Sequence, residues 1–494
     1  MKIAISYPPL ESDKGVPLLS QNRQFQWFNK STYIYPVIPA YAATLLKREG
    51  YDVYWDDAIA AGLGYNHWKE RLIKEKPDVV AIETKTPVVK RHWKIIDELK
   101  KELANTKFVL MGDHITALPE ESLQNSNVDY CLKSGDYDFS LLSLANFLSK
   151  GEALAGGWYF RDGDGVITSS GEQNLRDNDL STLPSIDRSL TKWQLYAYEN
   201  GNFKYQPGTY TMAGRDCWWG KCTFCSWTTF FPSGKFRVIK PEKLLDDIEN
   251  NIIKLGIKEV FDDTGCFPAG KWLLNFCEGM VERGLNKKIA FSCNMRFGVL
   301  KQEHYDAMAK ANFRFVLYGV ESANQEVIEK LNKSINISDI KEELETVKKA
   351  NKKYKGMISP HVTTMIGYPW ESYAEAKNTI DFTRDLFDCG LIDSLQATIV
   401  IPYPGTPFFK EAKENGWLIT EDWDRYDMRG SILKSEVTSE HALKLTQSIY
   451  RSFMTPKFIV RKLLSIKSWI DVRYLWMAGL RVLGHLMDFK AKQR

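Results

Sequence analysis

The chain has 494 residues, 44% of them hydrophobic and 26% charged, with a formal net charge of +4. That is too long for one ordinary domain and gives an ample core, so two or three domains are expected. So small a charge argues against a dedicated nucleic-acid binder, no eighteen uncharged apolar residues run together to span a membrane, and MKIAISYPPL starts as a strand, not as a signal peptide.

The first 150 residues alternate short apolar runs with helical patterns. Strands are predicted at KIAISYPP, YDVYWDDA, DVVAIETK, KFVLMGDH and VDYCLKSG, with helices at IPAYAATLLKREG, NHWKERLIKEK, WKIIDELKKEL and FSLLSLANFLSKG. Such spacing makes βαβ units and an N-terminal doubly wound (Rossmann-like) parallel sheet, whose ligands sit beyond the carboxyl ends of the strands. The loops to watch are therefore 6–9, 84–87, 112–116 and 135–138. Residues 151–205 change character: GGWYFRDGDGVITSSGE reads as a hairpin turning at DGDG, and a polar, Pro-containing linker follows. From 206 to 407 a second alternating series predicts strands at YTMAGR, KEVFDDTG, KIAFSCNMR, FRFVLYGVES, SPHVTTMIGYP and LQATIVIPYPGTP. Six βα-type repeats suit a partial (β/α)6 TIM-type barrel with its chemistry on the loops at the strand carboxyl ends. Residues 408–494 form a C-terminal helical region. The fold class is thus α/β throughout, with helices added at the end.

Eight cysteines over this length do not make a disulfide scaffold, and the expected compartment is the reducing cytoplasm. Three of the eight, Cys217, Cys222 and Cys225, crowd into nine residues after the first barrel strand. Three clustered thiolates suit three irons of a cubane cluster and leave the fourth iron open for inner-sphere chemistry. Structural zinc wants four ligands in two separated pairs, and no second CxxC is present; Cys266 or a distant His would have to complete such a site. Inert core cysteines are the third reading.

The segment GRDCWWGKCTFC is similar to the cluster loop of the radical S-adenosylmethionine (SAM) enzymes. KEVFDDTGCF, FRFVLYGVESANQEVIEKLNK, TTMIGYPWES and IPYPGTPFFKEAKENGW resemble that family's later barrel strands. VLMGDHITALPEE and VDYCLKSGDYDFSLLSL resemble the cobalamin-binding domain of one subgroup, which includes hopanoid-pathway enzymes, C-methyltransferases and the anaerobic Mg-protoporphyrin ester cyclase. The order and spacing of these segments carry the resemblance over nearly the whole chain. One departure stands out: four residues, not three, separate Cys217 from Cys222.

The resemblance implies a [4Fe–4S] cluster on the three cysteines, SAM chelated to the open iron, and one-electron cleavage to a 5′-deoxyadenosyl radical. It implies an electron donor such as flavodoxin or ferredoxin. Around SAM it points to Phe224, Asp262, Asp263, Arg296, Glu321 and Gly367. The plain alternatives are a solvated acidic pair at 262–263, a rim salt bridge for Arg296, and a simple turn at Gly367. A carboxylate inside an apolar strand, as at Glu321, needs a partner. For cobalamin the resemblance points to Tyr7, Pro8, Thr84, Gly112, Asp113, His114, Thr116 and Gly135. No Asp-x-His-x-x-Gly motif is present, which predicts base-off cobalamin without a His ligand. The loop at 112–116 reads equally as a polar helix start. The first sheet alone also suits a nucleotide, although GxGxxG is missing after its first strand.

The implied activity is methylation or rearrangement of an unactivated carbon in a small-molecule or lipid-like substrate. A methylthiotransferase acting on RNA would carry three further cysteines early in the chain, and a zinc-containing binding module is the non-enzyme alternative. The tail from 452 mixes Arg461, Lys462, Lys467, Arg473 and Arg481 with Leu464, Trp469, Trp476, Leu480 and Leu483 at helical spacing. That suits either helices lying on the cytoplasmic face of an anionic membrane, where a greasy substrate would enter, or helices packed on the barrel.

Overall fold

A computed structural model describes the chain except for residues 20–24, 30, 232–234, 451–454 and 489–494, and except for the side chains of 485–488. The apolar runs of the first region become β1 (Lys2–Tyr7), β2 (Asp52–Asp57), β3 (Val79–Glu83), β4 (Lys107–Met111) and β5 (Tyr130–Leu132). These five are parallel in the order β2-β1-β3-β4-β5. The strands are almost wholly buried because the intervening helices cover the sheet, which is why they read as near-continuous apolar runs. The order reverses at β1, so the connections leave on opposite sides and a crevice opens beyond the strand carboxyl ends.

The sequence sets the DGDG hairpin apart with the linker. In the structure it belongs to the first sheet: β6 (Trp158–Arg161) runs antiparallel along β5, and β7 (Ile167–Ser169) along β6. Three-residue β5 would otherwise leave an open row of backbone donors and acceptors, and the hairpin covers that edge.

The second sheet holds β8 (Gly208–Thr211), β9 (Glu259–Asp262), β10 (Ala290–Met295), β11 (Phe313–Glu321), β12 (Ser359–Ile366) and β13 (Ser394–Ile399), all parallel and in chain order. Side chains alternate across a strand. Phe315, Leu317 and Glu321 of β11 and His361, Thr363 and Met365 of β12 therefore face one cavity of about 430 Å³.

Two helices, Pro456–Leu464 and Trp469–Asp488, end the chain. The last presents Tyr474, Ala478, Arg481 and Val482, a single i, i+4, i+7, i+8 stripe, to that same cavity. Its opposite stripe is bare: Trp469 is 78% and Trp476 69% exposed. No helix among the described residues is long and apolar enough to cross a membrane.

Candidate active site

The cluster loop leaves β8 and is held at its base by a short ladder, Gly214–Arg215 against Arg237–Val238. Asp216 takes a left-handed φ of 72° and accepts the Cys217 N–H at 2.7 Å. Gly265 must lack a side chain here, since a Cβ would stand 2.8 Å from the Asp216 carbonyl. The loop is pinned on both sides: Thr223 N–H donates to the Leu331 carbonyl, and the Thr223 carbonyl accepts from Phe408 N–H. The long first spacing is absorbed by a turn. Gly220 adopts φ 57°, which glycine tolerates without cost, while the Trp218 and Trp219 indoles donate to the carbonyls of Phe267 and Asn332.

Cys217, Cys222 and Cys225 are free thiols and all three line the cavity. Burial pushes the Cys222 thiol up to about 11, against the pull of Lys333. Burial likewise raises Asp216 to about 7. Among the described residues, no three His, Cys, Asp or Glu side chains converge on a point that would hold a single metal ion. The three thiols share one cavity. Cys266 stands beside them, bridged to Cys217 through the backbone, with its Sγ 4.0 Å from Met295 Sδ.

Phe224, Asp263, Arg296 and Glu321 line the cavity with the cysteines. Asp263 accepts from Asn294 Nδ2 at 3.2 Å. Asp262 does not join them. It is fully buried on the other side of β9, where it accepts from Thr211 Oγ1 and from the Ala213 and Thr264 N–H groups. Neighbouring residues of a strand face opposite ways, so only one of the acidic pair reaches the cavity. Arg296 is committed too: its Nη2 donates to the Lys333 and Ser334 carbonyls, and its guanidinium stacks 4.1 Å over Trp219. Glu321, with φ 65° at an irregularity of β11, pairs with Lys333. Gly367 has φ 94° and open space where a Cβ would be, and its N–H donates to Glu371 Oε2 at 2.7 Å. It does not line the cavity itself. Lys333 and Glu371 are therefore site residues that the sequence did not single out. Glu371 carries a readable signal, a carboxylate four residues after a turn glycine. Lys333 carries none, because only the fold brings it to Glu321.

The residues expected at a corrin gather on the carboxyl edge of the first sheet, but their groups are already spent. The Tyr7 hydroxyl donates to Glu83, Thr84 Oγ1 meets His92 Nδ1 at 2.6 Å, and Thr116 Oγ1 donates to the Gly112 carbonyl. Pro8 and Asp113 are buried, Asp113 paired with Lys85. His114 pairs with Glu121 through Nε2 at 3.0 Å and packs on Trp423. Gly112 is glycine because a Cβ would stand 2.1 Å from the Thr84 carbonyl, and Gly135 because Phe230 and Phe231 press on it. Phe230 and Phe231 press on Gly135, and Trp423 packs on His114, so two of these loops also meet the second half of the chain.

Residues 213–383 match the radical SAM superfamily. The chain is 26% identical over 444 residues to an uncharacterized methyltransferase of Pyrococcus horikoshii, covering 89% of this chain and 92% of that one. It is 25% identical over 432 residues to the anaerobic magnesium-protoporphyrin IX monomethyl ester cyclase of Cereibacter sphaeroides, covering 85% and 67%. Bacteriochlorophyllide d C-12(1)-methyltransferase of Chlorobaculum tepidum is 26% identical over 384 residues, covering 76% and 75%. Among solved structures, the radical SAM methyltransferase TsrM from Kitasatospora setae, with cobalamin and [4Fe–4S] cluster bound, superposes with a TM-score of 0.68 at 14% identity, over 91% and 90% of the two chains. The cobalamin-dependent radical SAM enzyme OxsB superposes with a TM-score of 0.69 at 14% identity, over 98% and 72%. Residues 213–383 thus match the radical SAM superfamily, the chain is an enzyme of that type, and its α/β fold is shared with the cobalamin-dependent enzymes TsrM and OxsB.

Proposed function

We propose that this enzyme cleaves SAM reductively and methylates or rearranges an unactivated carbon of a small, apolar or lipid-like substrate. The observation that carries this is the single cavity shared by three thiols, Asp263, Arg296, Glu321 and the inward side chains of the second sheet. A [4Fe–4S] cluster on Cys217, Cys222 and Cys225, fed by a donor such as flavodoxin or ferredoxin, supplies the electron that breaks a carbon–sulfur bond of SAM. In this reading Asp263 accepts from the SAM ammonium, because a carboxylate is the strong partner of a cation. Glu321, paired with Lys333, accepts from a ribose hydroxyl. Arg296, clamped by carbonyls and indoles, holds the mouth of the loop in shape. Gly367 leaves room for adenine, and Glu371 fixes that turn.

The division of labour follows: residues 1–150 as a doubly wound cobalamin-binding domain, 151–205 as hairpin and linker, 206–407 as a partial (β/α)6 barrel, and 408–494 as a helical region. Cobalamin rests on the fold shared with TsrM and OxsB. The loops at 6–9, 84–87, 112–116 and 135–138 would hold it, and no step is assigned to it. The bare stripe of the tail, with Lys467 and Arg473 outward, belongs on an anionic membrane surface. An RNA methylthiotransferase is disfavoured, because Cys131 is the one cysteine in the first 150 residues and it is buried.

The test is anaerobic reconstitution with iron and sulfide, followed by SAM and a reductant. Release of 5′-deoxyadenosine or S-adenosylhomocysteine is expected, and a product heavier by one CH₂ marks methyl transfer. A chain with a full iron load that leaves SAM intact would end the proposal.

A further inference from the structure

One side chain of the cavity has buried donors with no hydrogen-bond partner among the described residues: Arg481 of the last helix, at its Nε and Nη2. Its surroundings are Glu199, Tyr210 and Tyr474. Glu199 is exposed and forms no ion pair with it among the described residues. A buried guanidinium left unpaired is costly, and five fixed donors on one side chain match the two oxygens of a carboxylate. Tyr210 adds a second donor. Its hydroxyl oxygen already accepts from Asn200 Nδ2 at 2.8 Å and from Asn202 Nδ2 at 3.0 Å. Its one O–H proton is thereby left to donate, and burial keeps the phenol protonated. Gly201 makes the approach possible, since Arg481 Nη1 lies 3.2 Å from where its Cβ would be. Phe261, Phe315 and Leu317 supply apolar wall beside this pair.

We propose that Arg481 and Tyr210 form an anion subsite that selects a substrate carrying a single carboxylate on an apolar body. The proposal deepens the function above and rests on it for the cavity being the substrate site. A lone cation balances one negative charge, so a dianionic phosphate is not the fitting head group. The final helix is then part of the substrate site, and its inner face serves recognition while its outer face is bare.

The test uses full-length reconstituted protein with SAM and three fluorescent probes of one shape: pyrenebutyrate, pyrenebutanol and pyrenebutyl phosphate. The wild type is expected to bind the carboxylate at least about tenfold tighter than the alcohol. Arg481→Gln should bring the two to parity without weakening the alcohol or SAM, Arg481→Lys should restore part of the preference, and Tyr210→Phe should lose part of it. Arg481→Gln should also melt no lower than the wild type without probe, since it removes an unpaired buried charge. A wild type that binds the three probes alike or not at all, a preference for the phosphate, or a preference that survives Arg481→Gln overturns the proposal. So does a lowered melting temperature, which marks a merely structural arginine. Loss of SAM cleavage with the carboxylate preference intact would count against the proposed function alone.

Discussion

The cysteine loop is held by backbone hydrogen bonds at Cys217 and Thr223, so substitution of the thiols should remove chemistry without removing the fold. Cys217→Ala, Cys222→Ala and Cys225→Ala are expected to reduce SAM cleavage to background while circular dichroism stays native. Cys266→Ala, beside them, is expected to keep its iron content and charge-transfer absorption; loss of iron there would make it a fourth ligand. Glu371 gives a pH-dependent prediction. Burial raises its carboxyl to about 7, above an unfolded value near 4.5. A folded pKa raised in this way means that the native state holds a proton the unfolded chain has released. Stability is therefore full below pH 4.5 and falls as pH rises towards 7, by about 3 kcal/mol at most. Glu371→Gln keeps an acceptor for the Gly367 N–H and removes the charge. Its melting temperature should match the wild type at pH 5 and exceed it at pH 8; equal values at both would show that the carboxyl is not so perturbed.

At the scale of elements, the tail packs on the second sheet region, one of the two roles that the sequence left open, and the membrane role stays a proposal. Arg461 and Arg481 turn inward and Lys462 pairs with Asp393, so the basic residues do not form one face. Lys204 pairs with Asp471 at 2.6 Å and fastens the last helix to the second sheet region. The outer stripe is another matter: Leu464 at 80%, Trp469 at 78% and Trp476 at 69% exposure face away from the described core. The triple substitution Leu464→Ser, Trp469→Ser, Trp476→Ser should leave stability within about 0.5 kcal/mol and cut co-sedimentation with anionic vesicles at least about tenfold. Equal sedimentation of the triple variant and the wild type would end the membrane assignment. This is a cleaner test than truncation, which would also strip Tyr474 and Arg481 from the cavity.

At the scale of the molecule, a buried charge cluster joins the two sheets. Arg215, at the root of the cysteine loop, pairs with Asp136 at 3.1 Å and Asp138 at 2.6 Å, and Arg237 pairs with Asp136 at 2.6 Å. Although burial opposes it, Arg237 and Arg215 hold the Asp136 carboxyl below its ordinary range. The loop after β5 is thus locked to the strand that carries the cysteines. Removing one partner of such a cluster strands the others without water, at a cost of about 3–5 kcal/mol. Arg215→Met should show that loss in urea unfolding and faster proteolysis of the 151–205 segment, as the two halves part. An unchanged unfolding midpoint would mean that the halves are held by packing alone. Phe230 and Phe231 also press on Gly135, so the loop after β5 and the cysteine loop are in contact by packing as well as by charge.

Eleven parallel strands in two groups and a loop crowding three cysteines were legible in the amino-acid sequence. Those features are local: a period of apolar residues specifies a strand, and nine consecutive residues carry all three thiols. Phe224 and Glu321 were legible for the same reason, lying on that loop and at the end of a strand. Only the tertiary structure decided which of Asp262 and Asp263 faces the cavity, because strand end and register fix that choice and a one-residue slip reverses it. Contacts between distant segments were equally out of reach: Lys333 on Glu321, the hairpin on β5, Phe230 and Phe231 on Gly135. Arg481 is the extreme case. In sequence it is one of several basic residues on an amphipathic tail, and only the packing of that helix over the second sheet buries its Nε and Nη2 and leaves it facing the cavity.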